Sequence, residues 1–496
     1  MTLNKKKTIT FLNLAAQSPS LELSLAVSNE IQEQNNSSHT FYVCNSALKS
    51  CSVNIKHSKS VCNLCVKKAL RGVDLFKKKN HNTEYKFITK KDLEKFSSNK
   101  IDKDDLKEVE LGVKSTIASQ FRIREVDNLE KKWSKYYSKM LDSSIKLFHY
   151  FNYELNSLKP IATIVFNGRL SCARPVKLAA EKTNNDFFLF DASNNGKYPV
   201  LAKNRMFHSI EFVRDYSLKI YLKNIHSARN AAENFMNSKL TNKSIDDAVF
   251  TSHQIKKYID PKITIGGKKI ISIFTSSDDE YRYIGSDWGQ HVILNQVQEI
   301  LKLNSSELKN QYTIVVKMHP NQKYIHKSDA SEYKKLSNEM IVLFPEDKTD
   351  TYELISISEY IISFCSLIAV EANYMRKKVI QIGPSIFMKL PVANYVENSD
   401  ECIKKIKDND TKIMPLRASI IYFNYLSNSN CELKSYEYVS DGIFLFNQNK
   451  IKTNFFVRTM STFNKLFFNI EKGNFDFLSN FGLYLNNFIK GENKVK

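Results

Sequence analysis

Short apolar runs, separated by helix-length segments, constrain this chain more than any other feature. In the first half they are Thr8-Ile-Thr-Phe-Leu-Asn-Leu14, Phe41-Tyr-Val-Cys44, Pro160-Ile-Ala-Thr-Ile-Val-Phe166 and Phe187-Phe-Leu-Phe190. In the second half they lie at 268–274, 312–317, 340–344, 360–363 and 378–382. β-Branched and aromatic residues dominate them, as buried strands require. Helical patterns fit between: 21–34, 129–155, 174–182 and 217–239, then 292–303, 331–338, 351–356 and 367–375. Strands joined through helices must run parallel, with helices on both faces of the sheet. The expected class is therefore α/β, with two doubly wound Rossmann-like domains.

Gly266-Gly267 punctuates the chain, and the boundary is placed near 240–267. This gives a first domain at 1–250, a second at 266–395, and an aromatic-rich, mainly helical tail at 396–496. Residues 72–112 are dense in Lys and Asp and poor in apolar periodicity. They read as a charged, solvated insertion with a short helix near 90–96.

Charge narrows the partners. The formal excess is +21, but only 12 of the 73 basic residues are Arg. Base-reading proteins rely on the bidentate Arg fork, so nucleic acid is not expected as a partner. Diffuse Lys fits phosphate-bearing ligands or an anionic membrane face. The run after Lys5-Lys-Lys7 is too short for a secretory leader, and no stretch of about 18 apolar residues exists. The expected location is cytoplasmic, at the inner face of the membrane.

Four of the eight cysteines cluster as Cys44-x6-Cys51-x10-Cys62-x2-Cys65. That is the count for a tetrahedral structural zinc site, with reduced, partly buried thiols as the alternative.

Open α/β sheets bind ligands beyond the carboxyl ends of their strands. In the second domain the polar residues there form a set. Thr275-Ser276-Ser277 offers hydroxyls and backbone N–H groups to phosphate. Lys317-Met-His319-Pro320 sets an imidazole at a strand end, with Lys317 adding charge if it faces the cleft. Ser363-Phe-Cys-Ser366 opens a helix carrying Glu371, a carboxylate suited to ribose hydroxyls.

Three strings carry a family resemblance: Val315-Val-Lys-Met-His-Pro-Asn321, Ser363-Phe-Cys-Ser-Leu-Ile-Ala-Val-Glu371, and Lys378-Val-Ile-Gln-Ile382. Together they resemble the donor half of bacterial GT-B glycosyltransferases of the capsular-polysaccharide and O-antigen kind. More distant relatives are sialyl-, Kdo- and glycerol-phosphate transferases. Ser276-Ser-Asp-Asp-Glu280 resembles that group's Ser-Ser-x-x-Glu element. Phe166-Asn-Gly-Arg169 with Arg174, and the cysteine cluster, are also similar to it.

The resemblance implies a nucleotide-sugar donor (CMP-, UDP- or GDP-linked) held by the second domain. His319 and Pro320, with Lys317, Ser276, Ser277, Glu280, Ser363, Ser366 and Glu371, would contact it. A glycan or lipid-linked acceptor would enter from the first domain. No Asp-x-Asp pair marks a catalytic metal, so metal-independent transfer is expected. A general base on the acceptor side is then needed; Asp191 is the first candidate and Glu22 the second. Arg169 and Arg174 would bind an anionic acceptor or the donor phosphate. The rivals are a glycerol-phosphate or phosphosugar transferase of the same architecture and a non-catalytic assembly scaffold.

Overall fold

A computed structural model describes residues 6–192, 199–241, 253–288, 295–429, 431–440, 443–453 and 455–472. The first sheet holds β1 (Lys7–Phe11), β2 (Ser38–Cys44), β3 (Thr83–Ile88), β4 (Ala162–Phe166), β5 (Phe187–Ala192) and β6 (Pro199–Lys203), in the order β3-β2-β1-β4-β5-β6. All pair in parallel except β6, which closes the edge antiparallel to β5. The second sheet holds β7 (Lys269–Phe274), β8 (Tyr312–Lys317), β9 (Ile341–Leu343), β10 (Tyr360–Ser363), β11 (Lys378–Ile382) and β12 (Asn394–Val396). Its order is β12-β11-β10-β7-β8-β9, parallel throughout. Strand order reverses beside β1 in one sheet and beside β7 in the other, so both are doubly wound. Two such domains, meeting at their strand carboxyl ends, make the GT-B architecture.

The segment 72–112 departs from its expected role as a solvated insertion. It ends the Lys59–Lys77 helix, supplies β3 at the sheet edge, and begins the Lys103–Phe121 helix. Val109, Gly112 and Val113 on that helix are buried. Its surface lysines and aspartates obscure a narrow apolar stripe. The single helix expected at 217–239 is two helices, Ile210–Lys223 and Ala228–Leu240.

The tail packs back onto the body. The Leu416–Asn428 helix lies against both of those helices and against Ile368–Tyr374 of the second domain. Phe423 stacks on Phe235 at 4.6 Å. A hairpin follows, β13 (Tyr436–Ser440) and β14 (Ile443–Phe446), whose buried Phe446 stacks on Phe76. The Phe455–Glu471 helix then covers Lys59–Lys77. The part of the expected tail at 473–496 lies outside the described residues. No described helix is long and apolar enough to cross a membrane.

One buried guanidinium joins the domains. Arg174, 1% exposed, opens the Arg174–Lys182 helix of the first domain. It donates to Glu108 Oε2 through Nε at 3.1 Å and Nη2 at 2.7 Å. Its Nη1 and Nη2 also reach the carbonyls of Tyr283 and Ile284 in the second domain, at 3.4 and 3.0 Å. Two glycines make room. A Cβ on Gly112 would lie 3.0 Å from Arg174 Cβ, and one on Gly285 only 2.9 Å from Nη2. This placement corrects the expectation that Arg174 binds an anionic acceptor or phosphate, because its donors are spent on protein. Replacing Arg174 with Ala should cost about 3–5 kcal/mol, as for other broken buried pairs. Arg174→Lys should recover only part of this, since an ammonium cannot reproduce the planar fork. Urea unfolding of both variants checks the order.

Candidate functional site

The candidate site is the cleft where the two sets of strand ends meet. On the first-domain side, β4 runs into Asn167-Gly168-Arg169. Asn167 has φ 72° and Gly168 φ 78°. A Cβ on Gly168 would sit 2.5 Å from Leu189, so this turn requires glycine. The turn delivers two groups. Asn167 Nδ2 donates to Asp191 Oδ2 at 2.5 Å, and the Ala192 N–H donates to Oδ1 at 2.8 Å. Arg169 crosses the cleft and donates to the Glu280 carbonyl. Burial pushes the Asp191 carboxyl up to about 6, against the opposing pull of Asn167, the Ala192 N–H and the Arg169 charge. His208 lies beside Arg169; burial, with that charge, holds its imidazole neutral, well below its usual range.

The second-domain side is a web of fixed donors. Gln296 grips the Ser276 backbone twice, accepting its N–H at 3.0 Å and donating to its carbonyl at 3.1 Å. Ser276 Oγ meets Tyr281 OH at 2.5 Å, and the Tyr281 ring stacks on Trp288 at 5.1 Å. Ser277 Oγ is buried, with no hydrogen-bond partner among the described residues. The His319 N–H donates to Thr275 Oγ1 and to Gln322 Oε1, at 3.1 and 2.9 Å. His319 Nδ1 accepts the Asn321 N–H at 3.1 Å, with Pro320 opening the following turn. The ring's proton therefore sits on Nε2. Burial lowers the imidazole's pKa, so it stays neutral and acts as a donor through Nε2.

Between the two sides lies an acidic triplet held by arginine. Arg122 Nη1 pairs with Asp279 at 2.7 Å and with Glu280 at 3.3 Å, and Nη2 donates to the Asn321 carbonyl at 2.8 Å. Burial pushes both Asp278 and Asp279 up to about 7, opposed chiefly by Arg124 and Arg122 respectively.

The other expected site residues are placed differently. Ser363 and Ser366 close a tight turn on each other at 3.3 Å around Cys365, whose φ is 50°. Glu371 is buried and accepts from Tyr352 OH at 3.3 Å. Lys317 is 6% exposed and donates to the Thr349 carbonyl at 2.9 Å. Burial lowers its pKa to about 8, so it is a buried tie to the 347–350 loop. Glu22 is 2% exposed, accepts from Ser18 at 2.8 Å, and has Lys68 at 3.8 Å. Its neighbours are the Lys59–Lys77 helix and Tyr436.

The cysteine cluster does not form the expected zinc site. Cys44, Cys51, Cys62 and Cys65 lie near one another and near Cys172, which the spacing had left apart. Yet no group of three or more His, Cys, Asp or Glu among the described residues is disposed to hold a metal ion. Asn54 donates to Cys62 Sγ at 3.2 Å, and Ser52 Oγ lies 2.8 Å from Cys172 Sγ. Burial pushes Cys44 up to about 11 and Cys65 to about 12.

Arg122, His208 and Gln296 escaped sequence reasoning. Arg122 sits in a left-handed position that ends a helix, with no motif around it. His208 and Gln296 follow no recognisable strand end.

Two measurements follow. Asp191 binds its proton more tightly folded than unfolded (about 6 against 3.8), so its contribution to stability is full at low pH. That contribution is lost as pH rises through about 6. The stability of wild type relative to Asp191→Asn should therefore fall between about pH 4 and 6 and level off above. Urea titrations across that range test it; a flat difference would contradict the placement. Purified protein should carry substoichiometric zinc, and its clustered thiols should react with a thiol reagent only on unfolding.

No family model matches the chain, and no curated protein matches it. Among solved structures, the β-Kdo 2,7 transferase KpsC of Thermosulfurimonas dismutans matches at 12% identity and TM-score 0.36, covering 60% of this chain and 86% of its own. The corresponding β-Kdo 2,4 transferase matches at 12% identity and TM-score 0.34, over 54% and 79%. A UDP-GlcNAc 2-epimerase from Neisseria meningitidis matches at 12% identity and TM-score 0.28, over 85% and 94%. Likenesses this weak do not bear on activity, and the architecture stands on the strand orders above.

Proposed function

We propose that the chain is a glycosyltransferase, moving a sugar from a nucleotide-sugar donor to a glycan or lipid-linked acceptor. The observation that carries this is the opposition across one cleft of a proton acceptor and a set of fixed donors. Asp191 is the acceptor; His319 Nε2–H and the Ser277 hydroxyl are the donors. In the proposed step the acceptor hydroxyl oxygen attacks the anomeric carbon and forms the new C–O bond. The bond from that carbon to the donor phosphate breaks, and its electron pair stays on the phosphate oxygen. The hydroxyl proton passes to Asp191, whose raised pKa makes it a stronger base than an ordinary carboxylate.

His319 Nε2–H and the Ser277 hydroxyl would meet the charge on the leaving phosphate, as preorganised donors do in a water-poor site. Arg169 and Arg122 border the same volume. Asp278 bonds to Tyr281 and Asp279 pairs with Arg122, so these acids are already committed. That supports transfer without a catalytic metal. Ser363, Ser366 and Glu371 line the β10 end and are proposed to shape the nucleotide pocket. Lys317 and Glu22 are left out of the proposed contacts.

A role in surface-polysaccharide assembly, capsule or O-antigen, follows the resemblance of the motif strings. Contact with an anionic membrane face is supported by one surface stripe. Leu218 and Leu222 are 38 and 67% exposed one turn apart on the Ile210–Lys223 helix, beside Lys219 and Lys223, and Ile225 is 48% exposed in the turn that follows.

Two experiments test the reading. CMP, CDP, UDP and GDP are each added to wild type and to His319→Ala in a thermal-shift assay. One of them should raise the melting temperature of wild type and fail to do so for the variant; no shift with any would sink the proposal. With that nucleotide's sugar as donor, Asp191→Asn should lower kcat about 10²–10⁴-fold while donor KM changes little.

A further inference from the structure

We infer that a second cavity, under the C-terminal helix, is a subsite for an uncharged stretch of glycan. This rests on the glycosyltransferase reading and assigns the acceptor's distal sugars. The cavity has a volume of about 400 Å³ and lies between the 53–58 loop, Gln17, Gln120 and the Phe455–Glu471 helix. That volume falls in the range of small-ligand sites, about 300–1,000 Å³.

Its lining has the chemistry of sugar recognition. Gln17 and Asn469 face it with side-chain amides that have no hydrogen-bond partner among the described residues. Gln120 uses its Nε2 on the Ser52 carbonyl, which leaves its carbonyl oxygen for a ligand. Asn464 likewise spends its Nδ2 on Ser60 and Met460. An amide is both donor and acceptor, as is a sugar hydroxyl. Phe467 lines the same space and is 60% exposed, although it sits on a helix whose neighbouring Phe468 packs against Phe121 and Trp133. A flat apolar ring suits the C–H face of a pyranose. The charged lining groups, Lys56 and Glu471, pair with each other. The cavity therefore offers no unspent cation to a phosphate and no unspent anion to an amine.

Its position connects it to the cleft. Ser119, next to Gln120, donates to the Asp279 carbonyl at 3.4 Å, and Arg122 holds the Asp279 carboxylate. Gln17 closes the segment that leaves β1 at the carboxyl edge of the first sheet. A chain entering over the first domain can thus hold its distal sugars here while its end reaches the Asn167 turn.

The test uses the full chain and immobilised hexasaccharides of glucose, N-acetylglucosamine, galactose and mannose, with a hexauronate as the anionic probe. At least one neutral hexasaccharide should bind wild type. The double variant Gln17→Ala/Asn469→Ala should weaken that binding about tenfold or more, the loss expected for two hydrogen bonds. Phe467→Ala should weaken it and Phe467→Tyr restore it, which separates stacking from a loosened helix. The double variant should keep the wild-type melting temperature and nucleotide shift. Three results overturn the subsite: no neutral hexasaccharide binds wild type, the double variant binds like wild type, or the hexauronate binds best. A wild type that binds glycan yet shows no nucleotide shift would instead sink the transferase reading and leave the subsite standing.

Discussion

The Arg174 clamp is the constraint on which the cleft depends. A guanidinium at 1% exposure is costly unless each donor finds a partner. Here one carboxylate and two backbone carbonyls satisfy it, and the carbonyls belong to the other domain. The domains are held in register because separating them would strand that charge. The register sets the Asn167 turn opposite the loop from Ser276 to Glu280. Arg122, Arg124 and Arg282 repeat the device more weakly, pairing with Asp279, Asp329 or Glu332, and Glu125 across the same boundary. Five of the chain's 12 arginines, Arg122, Arg124, Arg169, Arg174 and Arg282, thus cross the domain boundary.

Within that frame the local charges oppose the net charge. The chain carries +21, yet the cleft gathers Asp191, Asp278, Asp279 and Glu280 around Arg122 and Arg169. Burial raises the first three carboxyls towards neutrality, and the arginines limit how far. The surplus of Lys is spread over exposed helix faces, much of it in pairs worth at most about 1 kcal/mol each. Net charge therefore says little about this site. The geometry of a few buried donors and acceptors says most of it.

The fold was legible where burial is complete. β8, β10 and β11 fall where their apolar runs predict, because parallel strands covered on both faces must be apolar throughout. β3 was hidden because it is an edge strand reading Thr-Glu-Tyr-Lys-Phe-Ile, with only Ile88 fully buried. The candidate site divides on the same principle. Asp191 and His319 were visible as polar residues just past apolar strands. Lys317 looked equivalent, but its register turns it onto Thr349. Arg174 looked like an anion ligand, because a sequence does not show which carbonyls of a distant loop will meet a guanidinium. The cysteine spacing brought the thiols together, but among the described residues no group of three or more ligands is disposed to hold a metal.

The two sides of the cleft are asymmetric in protonation, and the asymmetry is fixed by backbone. His319 must keep its proton on Nε2, because Nδ1 is occupied by the Asn321 N–H in a turn that Pro320 opens. Asp191 must present a carboxylate, because the Ala192 N–H and the Asn167 amide both donate to it and favour the charged form. Desolvation works against that charge and raises its proton affinity. One side can then only give a hydrogen bond, and the other side gains most by accepting a proton. In the transfer proposed above, the anion leaves towards the second domain and the proton passes to the first, which is the sense of this asymmetry. The reverse arrangement would need the backbone of both turns to change, not merely two side chains.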